Sequence, residues 1–202
     1  GAVIWLMVVS SAVMLAALHW ETLSTSVADR VLGFENLFLI GFIYPVVKIF
    51  HEFGHAYGVR RWGGEVHEMG IMLLVFVPIP YVDASASLAF REKYKRIAVG
   101  AAGILVEVFL AGLAMWMWYW VEPGVVRAVA FQVMLIAGVS TLLFNGNPLL
   151  RFDAYYILSD VLEIPNLGSR GSRFLGYLFQ RYALGLKQVH SPGTALGEKV
   201  WL

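Results

Sequence analysis

Cysteine is absent from this chain of 202 residues, so neither a disulfide framework nor a thiolate metal site is available, and any metal must be held by His, Asp or Glu. Charge is scarce as well. Asp, Glu, Lys and Arg make up 14% of the residues, against roughly 25% in ordinary soluble domains. The formal net charge is +1, which offers nothing to attract nucleic acid. No Met stands at the start and no basic stretch precedes the first apolar run. Residues 2 to 18 therefore do not read as a signal peptide, and the chain is expected to be part of a longer one. Hydrophobic residues fill the space that charge leaves: 59% of the total, with a mean hydropathy of +0.69. That balance points to an all-α membrane protein embedded in the lipid bilayer.

Four stretches have the length and character of transmembrane helices. The first is residues 2 to 18, extended by Gly1 and His19. The second is 34 to 57, interrupted only by Glu35, Asn36 and Lys48 before its last turns. The third, 97 to 121, is apolar except for Glu107, and after a turn at Glu122-Pro123-Gly124 the fourth returns over 125 to 144. Residues 19 to 33, with Glu21, Asp29 and Arg30, suit a polar connection. Residues 70 to 82 are apolar but too short to cross, and Pro78 and Pro80 would break a helix, so a re-entrant hairpin or loop packed against protein is expected. Beyond Asn145-Gly146-Asn147-Pro148, residues 152 to 162 form a short helix stopped near Pro165. Residues 173 to 189 mix Phe174, Leu175 and Leu178 with Arg173, Arg181 and Lys187, which suits an amphipathic helix in the headgroup plane or the start of a further span.

The placement of charge orients these spans. Segments 58 to 96 and 151 to 202 hold twelve Lys and Arg, whereas 19 to 33 and 121 to 127 hold two, Arg30 and Arg127. By the positive-inside rule the two basic segments face the cytoplasm.

The second span ends in His51-Glu52-Phe53-Gly54-His55. Histidines four apart leave one face of a helix a turn apart, close enough to share one tetrahedral metal. A cation held by two imidazoles and one more ligand keeps a position for water, and Glu52 stands beside that face as a base for the water's proton. Two core histidines and a surface glutamate would be the plainer reading. Ionisable groups inside hydrocarbon are costly, however, and metal ligation is one of the few arrangements that makes them tolerable. The donor set of His with a carboxylate favours Zn2+ and permits cobalt or iron.

The acids able to supply the third ligand are Asp83, Glu107, Asp153, Asp160 and Glu163. Asp160 and Glu163 lie beyond the spans, and Glu107 lies eleven residues from Arg96, about 16 Å deep at 1.5 Å per residue. His55 is only five residues from Arg60, and Asp153, following a broken helix end at matching depth, is the expected ligand. Lys48 is twelve residues from Arg60, so it shares its depth with Glu107. A buried Lys48–Glu107 pair is expected to join the second and third spans, with Glu107 as a support behind the metal ligands or a proton relay as the rival reading. His19, His67 and His190 lie in connections or the tail and are not expected to ligate.

The two motifs His51-Glu52-Phe53-Gly54-His55 and Asn147-Pro148-Leu149-Leu150-Arg151-Phe152-Asp153 together resemble the site-2 protease family of intramembrane zinc metalloproteases, over roughly residues 34 to 165. The run from 144 to 167 looks like a prokaryotic branch whose members are often fused to periplasmic adaptor-like modules. The resemblance implies a single transmembrane metalloprotease domain that hydrolyses a membrane protein or peptide. His51, His55 and Asp153 would bind zinc, Glu52 would be the catalytic base, and Asn145, Asn147 and Pro148 would help hold substrate. Two positions depart from the family pattern. Ala154 stands where a Gly usually follows the ligating Asp, and a positive φ there would cost Ala about 1 kcal/mol or more. Glu107 stands in Ala102-Gly103-Ile104-Leu105-Val106-Glu107, where many relatives carry Gly-Pro and then Asn. The alternatives are a proteolytically inactive relative that binds membrane proteins and an ion-coupled transporter.

Overall fold

The computed structural model describes residues 1–25, 34–75 and 77–186, and the side chains of all of these except 34–37. Helix α1 (Ala2–Leu18) is followed by a short α2 (Trp20–Ser24) and then by α3 (Phe34–Arg61). A hairpin of β1 (Met69–Leu74) and β2 (Val77–Val82) leads through a 3-10 turn at Ser85–Ala89 into α4 (Lys93–Trp120). Helix α5 (Val125–Phe144) opens into a π-helical stretch at Leu135–Ser140 before its last turn. The chain closes with α6 (Asp153–Leu162) and α7 (Leu167–Leu178), the latter running on into a π-helical turn at Phe179–Ala183.

Helix α4 is the centre of the fold. It is packed on by α1, α3, α5 and α6, because its small residues let neighbours approach. Gly54 and Gly58 of α3 are four apart, so they share a helix face, and that face meets α4 backbone to backbone. A Cβ at Gly54 would lie 2.9 Å from the Ala102 carbonyl oxygen, and one at Gly58 3.3 Å from Val99 Cα. One apolar cluster, Ala12, Met115, Trp118, Ala130 and Phe131, joins α1, α4 and α5. A second, Ile43, Val47, Ile136 and Ala137, joins α3 to α5.

Helices α4 (28 residues) and α5 (20 residues) are long and apolar enough to cross a membrane, and they are the two among the described residues that meet both measures. Helix α1 is apolar but shorter. Helix α3 has the length, 28 residues, yet carries Lys48, His51, Glu52 and His55 in its second half. Rings cluster at both ends of α4, which is about 42 Å long at 1.5 Å per residue. At the start, Trp62 meets Tyr94 edge to face and lies under the Arg61 and Lys95 cations. At the far end, Arg127 stacks 4.2 Å from the Trp118 ring, and His19 packs on Trp118 and Tyr119.

Three segments differ from expectation. Residues 70 to 82 are a regular antiparallel β hairpin, so the fold is mostly helical rather than all-α. The backbone bond from Asp83 N to Glu68 O sets the pairing. In an antiparallel ladder the hydrogen-bonded positions alternate, so Pro78 and Pro80 fall where the N–H would point away from β1 and none is missed. The amphipathic helix begins at Leu167, ahead of the expected 173. The polar connection after α1 starts as the short helix Trp20–Ser24. Asp29, Arg30, Lys187 and His190 lie outside the described residues.

Candidate metal centre

Helix α3 presents His51 and His55 on the face that packs against α4, and both are buried. Asp153, the first residue of α6, reaches them from 98 positions further along the chain. What holds it there is a backbone bond: Ala154 N donates to the Asn145 carbonyl at 2.9 Å, tying the start of α6 to the end of α5. Ala154 is helical and is not among the residues with positive φ, so the strain expected of it is absent.

Hydrogen bonding assigns the ring tautomers. His55 Nδ1 lies 2.8 Å from the Val99 carbonyl oxygen, which can only accept, so this nitrogen carries the proton and Nε2 keeps a lone pair. His51 Nδ1 faces Glu107 Oε2 at 3.1 Å without a full hydrogen bond, and a proton on this nitrogen leaves Nε2 a lone pair as well. The two Nε2 atoms then stand 3.0 Å apart. Asp153 Oδ2 is 3.1 Å from the first, and Oδ1 is 3.5 Å from the second.

In that tautomer three lone-pair donors converge. Asp153 Oδ2 is buried and has no hydrogen-bond partner, a costly state unless a cation sits among the three. Zinc bonds of about 2.0–2.1 Å at tetrahedral angles put ligand atoms about 3.3 Å apart, and the observed separations straddle that value. His51, His55 and Asp153 offer one ligand atom each, all within 4.8 Å of one another, so the residues present fit a metal ion.

The three ligands line a cleft of about 1040 Å³, and Glu52 lines it beside them. Val82, Leu88, Val99, Tyr155 and Ile157 give apolar walls, and Arg91, Arg96 and Asp160 line its polar part. The acids set aside as ligands are engaged elsewhere. Asp160 takes Arg96 Nε at 2.6 Å, Glu163 pairs with Lys93 at 3.0 Å, and Asp83 accepts from Ser85 N at 3.0 Å. Lys48 and Glu107 meet at 2.7 Å, with the Glu107 side chain fully buried.

Asn145, Asn147 and Pro148 do not line the cleft. The Asn145 amide turns inward to Glu107 Oε2 at 3.3 Å, and Asn147 Oδ1 caps Leu149 N at 3.0 Å. Sequence reasoning missed Gly103. A Cβ there would collide with the His51 ring and lie 2.6 Å from His55 Nε2. The spacing of Gly54 and Gly58 is the signal that would have led to this close helix contact. No protein-family model matches the chain, and neither does any curated protein or solved structure.

Proposed function

We propose that this chain is a membrane-embedded zinc metallopeptidase of the site-2 protease kind, which hydrolyses a peptide bond within or beside the bilayer. One observation carries the reading: His51, His55 and Asp153 converge as three lone-pair donors in a buried centre, with the Glu52 carboxylate on the same cleft. The rings bracketing α4 and the Arg60, Arg61 and Lys93-to-Arg96 collar support α3 and α4 as bilayer spans, and by the positive-inside rule the same collar favours a cytoplasmic side for the metal centre, in a prokaryotic membrane as the resemblance implies.

When bound, zinc supplies a Lewis acid that polarises the scissile carbonyl and brings water's pKa towards neutrality. His51, His55 and Asp153 hold it. Glu52 takes a proton from the attacking water and returns it to the leaving amine, so that hydroxide ends on the carbonyl carbon and hydrogen on nitrogen. A helical substrate has to unwind first, because its amides are otherwise occupied in intrahelical bonds.

The hairpin offers an edge for the unwound strand, and its pairing decides which one. The outer edge of β2 lacks an N–H at Pro78 and Pro80, whereas β1 turns the N–H groups of Met69, Ile71 and Leu73 outward along an exposed strand. Substrate therefore adds to β1. Ile71→Pro removes an outward donor without touching the pairing to β2. Cleavage is expected to fall at least tenfold with thermal stability near wild type. Unchanged cleavage would take β1 out of the mechanism.

The reading as a whole is tested by metal analysis of purified protein together with cleavage of membrane peptides in lipid discs, before and after a chelator. One zinc per chain and chelator-sensitive hydrolysis are expected. Protein that binds zinc and cuts nothing would favour an inactive membrane-protein binder, and protein without metal would sink the assignment.

A further inference from the structure

Glu107 is the buried carboxylate that the mechanism above does not use. It sits in the middle of α4 with no exposed surface, and both its oxygens are engaged. Oε1 takes Lys48 Nζ at 2.7 Å. Oε2 accepts from Thr141 Oγ1 at 2.5 Å and Asn145 Nδ2 at 3.3 Å, and His51 Nδ1 lies 3.1 Å from it. Thr141 and Asn145 are four apart at the end of α5, so both reach Glu107 from one helix face, and the π-helical stretch Leu135–Ser140 sets the register of that face.

These partners lie on α3, which carries two of the metal ligands, and at the end of α5, which is tied to the start of α6. His51 is itself a ligand on α3. Asn145 touches Glu107 with its side chain while its carbonyl accepts the N–H of Ala154, next to Asp153. We infer that Glu107 is the positioning residue of the metal centre: it holds the His51 ring with Nδ1 protonated and Nε2 aimed at the metal, and through Asn145 it registers the helix that delivers Asp153. This role rests on the metal centre proposed above.

Two features separate it from a plain ion pair. A carboxylate needed only to neutralise Lys48 has no cause to face an imidazole nitrogen or to collect donors from α5. And because Lys48 balances its charge, Glu107 can sit against His51 without adding net charge to the centre. A carboxylate accepting from the far nitrogen of a ligating imidazole fixes its tautomer and raises its basicity, and removing such a partner typically weakens metal binding 10–100-fold.

The test compares wild type, Glu107→Gln and Lys48→Met, purified without metal. Zinc affinity is read by competition with a chelator, and the ligand field by the visible spectrum of the Co2+-loaded protein. Glu107→Gln is expected to weaken zinc about 10–100-fold and to shift the Co2+ bands. Lys48→Met is expected to lower the thermal midpoint and to change zinc affinity less than Glu107→Gln does, since the oxygen that faces His51 is retained. If Glu107→Gln does not fold, the double variant Lys48→Met/Glu107→Gln leaves no unpaired buried charge and carries the same expectation. Wild-type affinity and spectrum in the Gln variant would overturn the positioning role alone. A wild type that takes up neither Zn2+ nor Co2+ would overturn the metal centre with it.

Discussion

Glu52→Gln should yield a protein that still binds one zinc per chain and cleaves a membrane peptide at least about a thousandfold more slowly than wild type. Gln keeps the shape of Glu and cannot take a proton. General bases contribute 10²–10⁴-fold in typical enzymes, and none of the three ligand atoms is drawn from residue 52. Metal content by elemental analysis and cleavage in lipid discs are the paired readings, and their combination is decisive. Loss of metal in the variant would make Glu52 a ligand. A rate within tenfold of wild type would leave the carboxylate without a chemical part. A transporter reading makes the opposite claim about this side chain, since ion passage needs no base beside two ligands.

The residues that could be read without a structure are those whose placement follows from helical period or from depth. Four residues make roughly one turn, so His51 and His55 had to leave one face of α3. Residues equally far from the same basic collar had to lie at one level, which is why Lys48 and Glu107 meet at 2.7 Å and Asp153 arrives at the histidines. Depth says nothing about azimuth, the direction a side chain leaves its helix. Asn145 shares the level of the cleft, yet its amide turns to Glu107, because the π-helical stretch before it sets which face of α5 looks at α4. The contact of Val99 with His55 was equally hidden, since it uses a backbone carbonyl and any residue supplies one. A hairpin or loop over 70 to 82 was legible from its length and its prolines, but its regular β pairing was not: a spacing of two puts Pro78 and Pro80 on one edge of a strand, and only the register shows that this edge faces away from β1.

Gly103→Ala should cost the protein its metal, with zinc affinity at least two orders of magnitude below wild type and cleavage lost in proportion. The site is assembled where α3 and α4 touch, and Gly103 is the floor on which both imidazoles rest. An added Cβ would overlap the His51 ring and lie 2.6 Å from His55 Nε2. Relief can come in two ways. The helices can separate, which opposes the close contacts at Gly54 and Gly58 and costs about 1–3 kcal/mol as overpacking does. Otherwise the rings can swing, and since His55 Nδ1 is bonded to the Val99 carbonyl and His51 Nδ1 is packed against Glu107, the Nε2 ends are what move. Either way the three ligand atoms no longer meet. Gly138→Ala is the matched control. It also adds a methyl in an apolar helix packed on α4, but the new Cβ would lie 3.5 Å from Ala111 Cβ, an ordinary contact, so metal affinity should stay within about twofold and stability should be unchanged or higher. Full zinc binding by Gly103→Ala would mean that the imidazoles do not meet the metal over α4, and the centre would have to be drawn elsewhere.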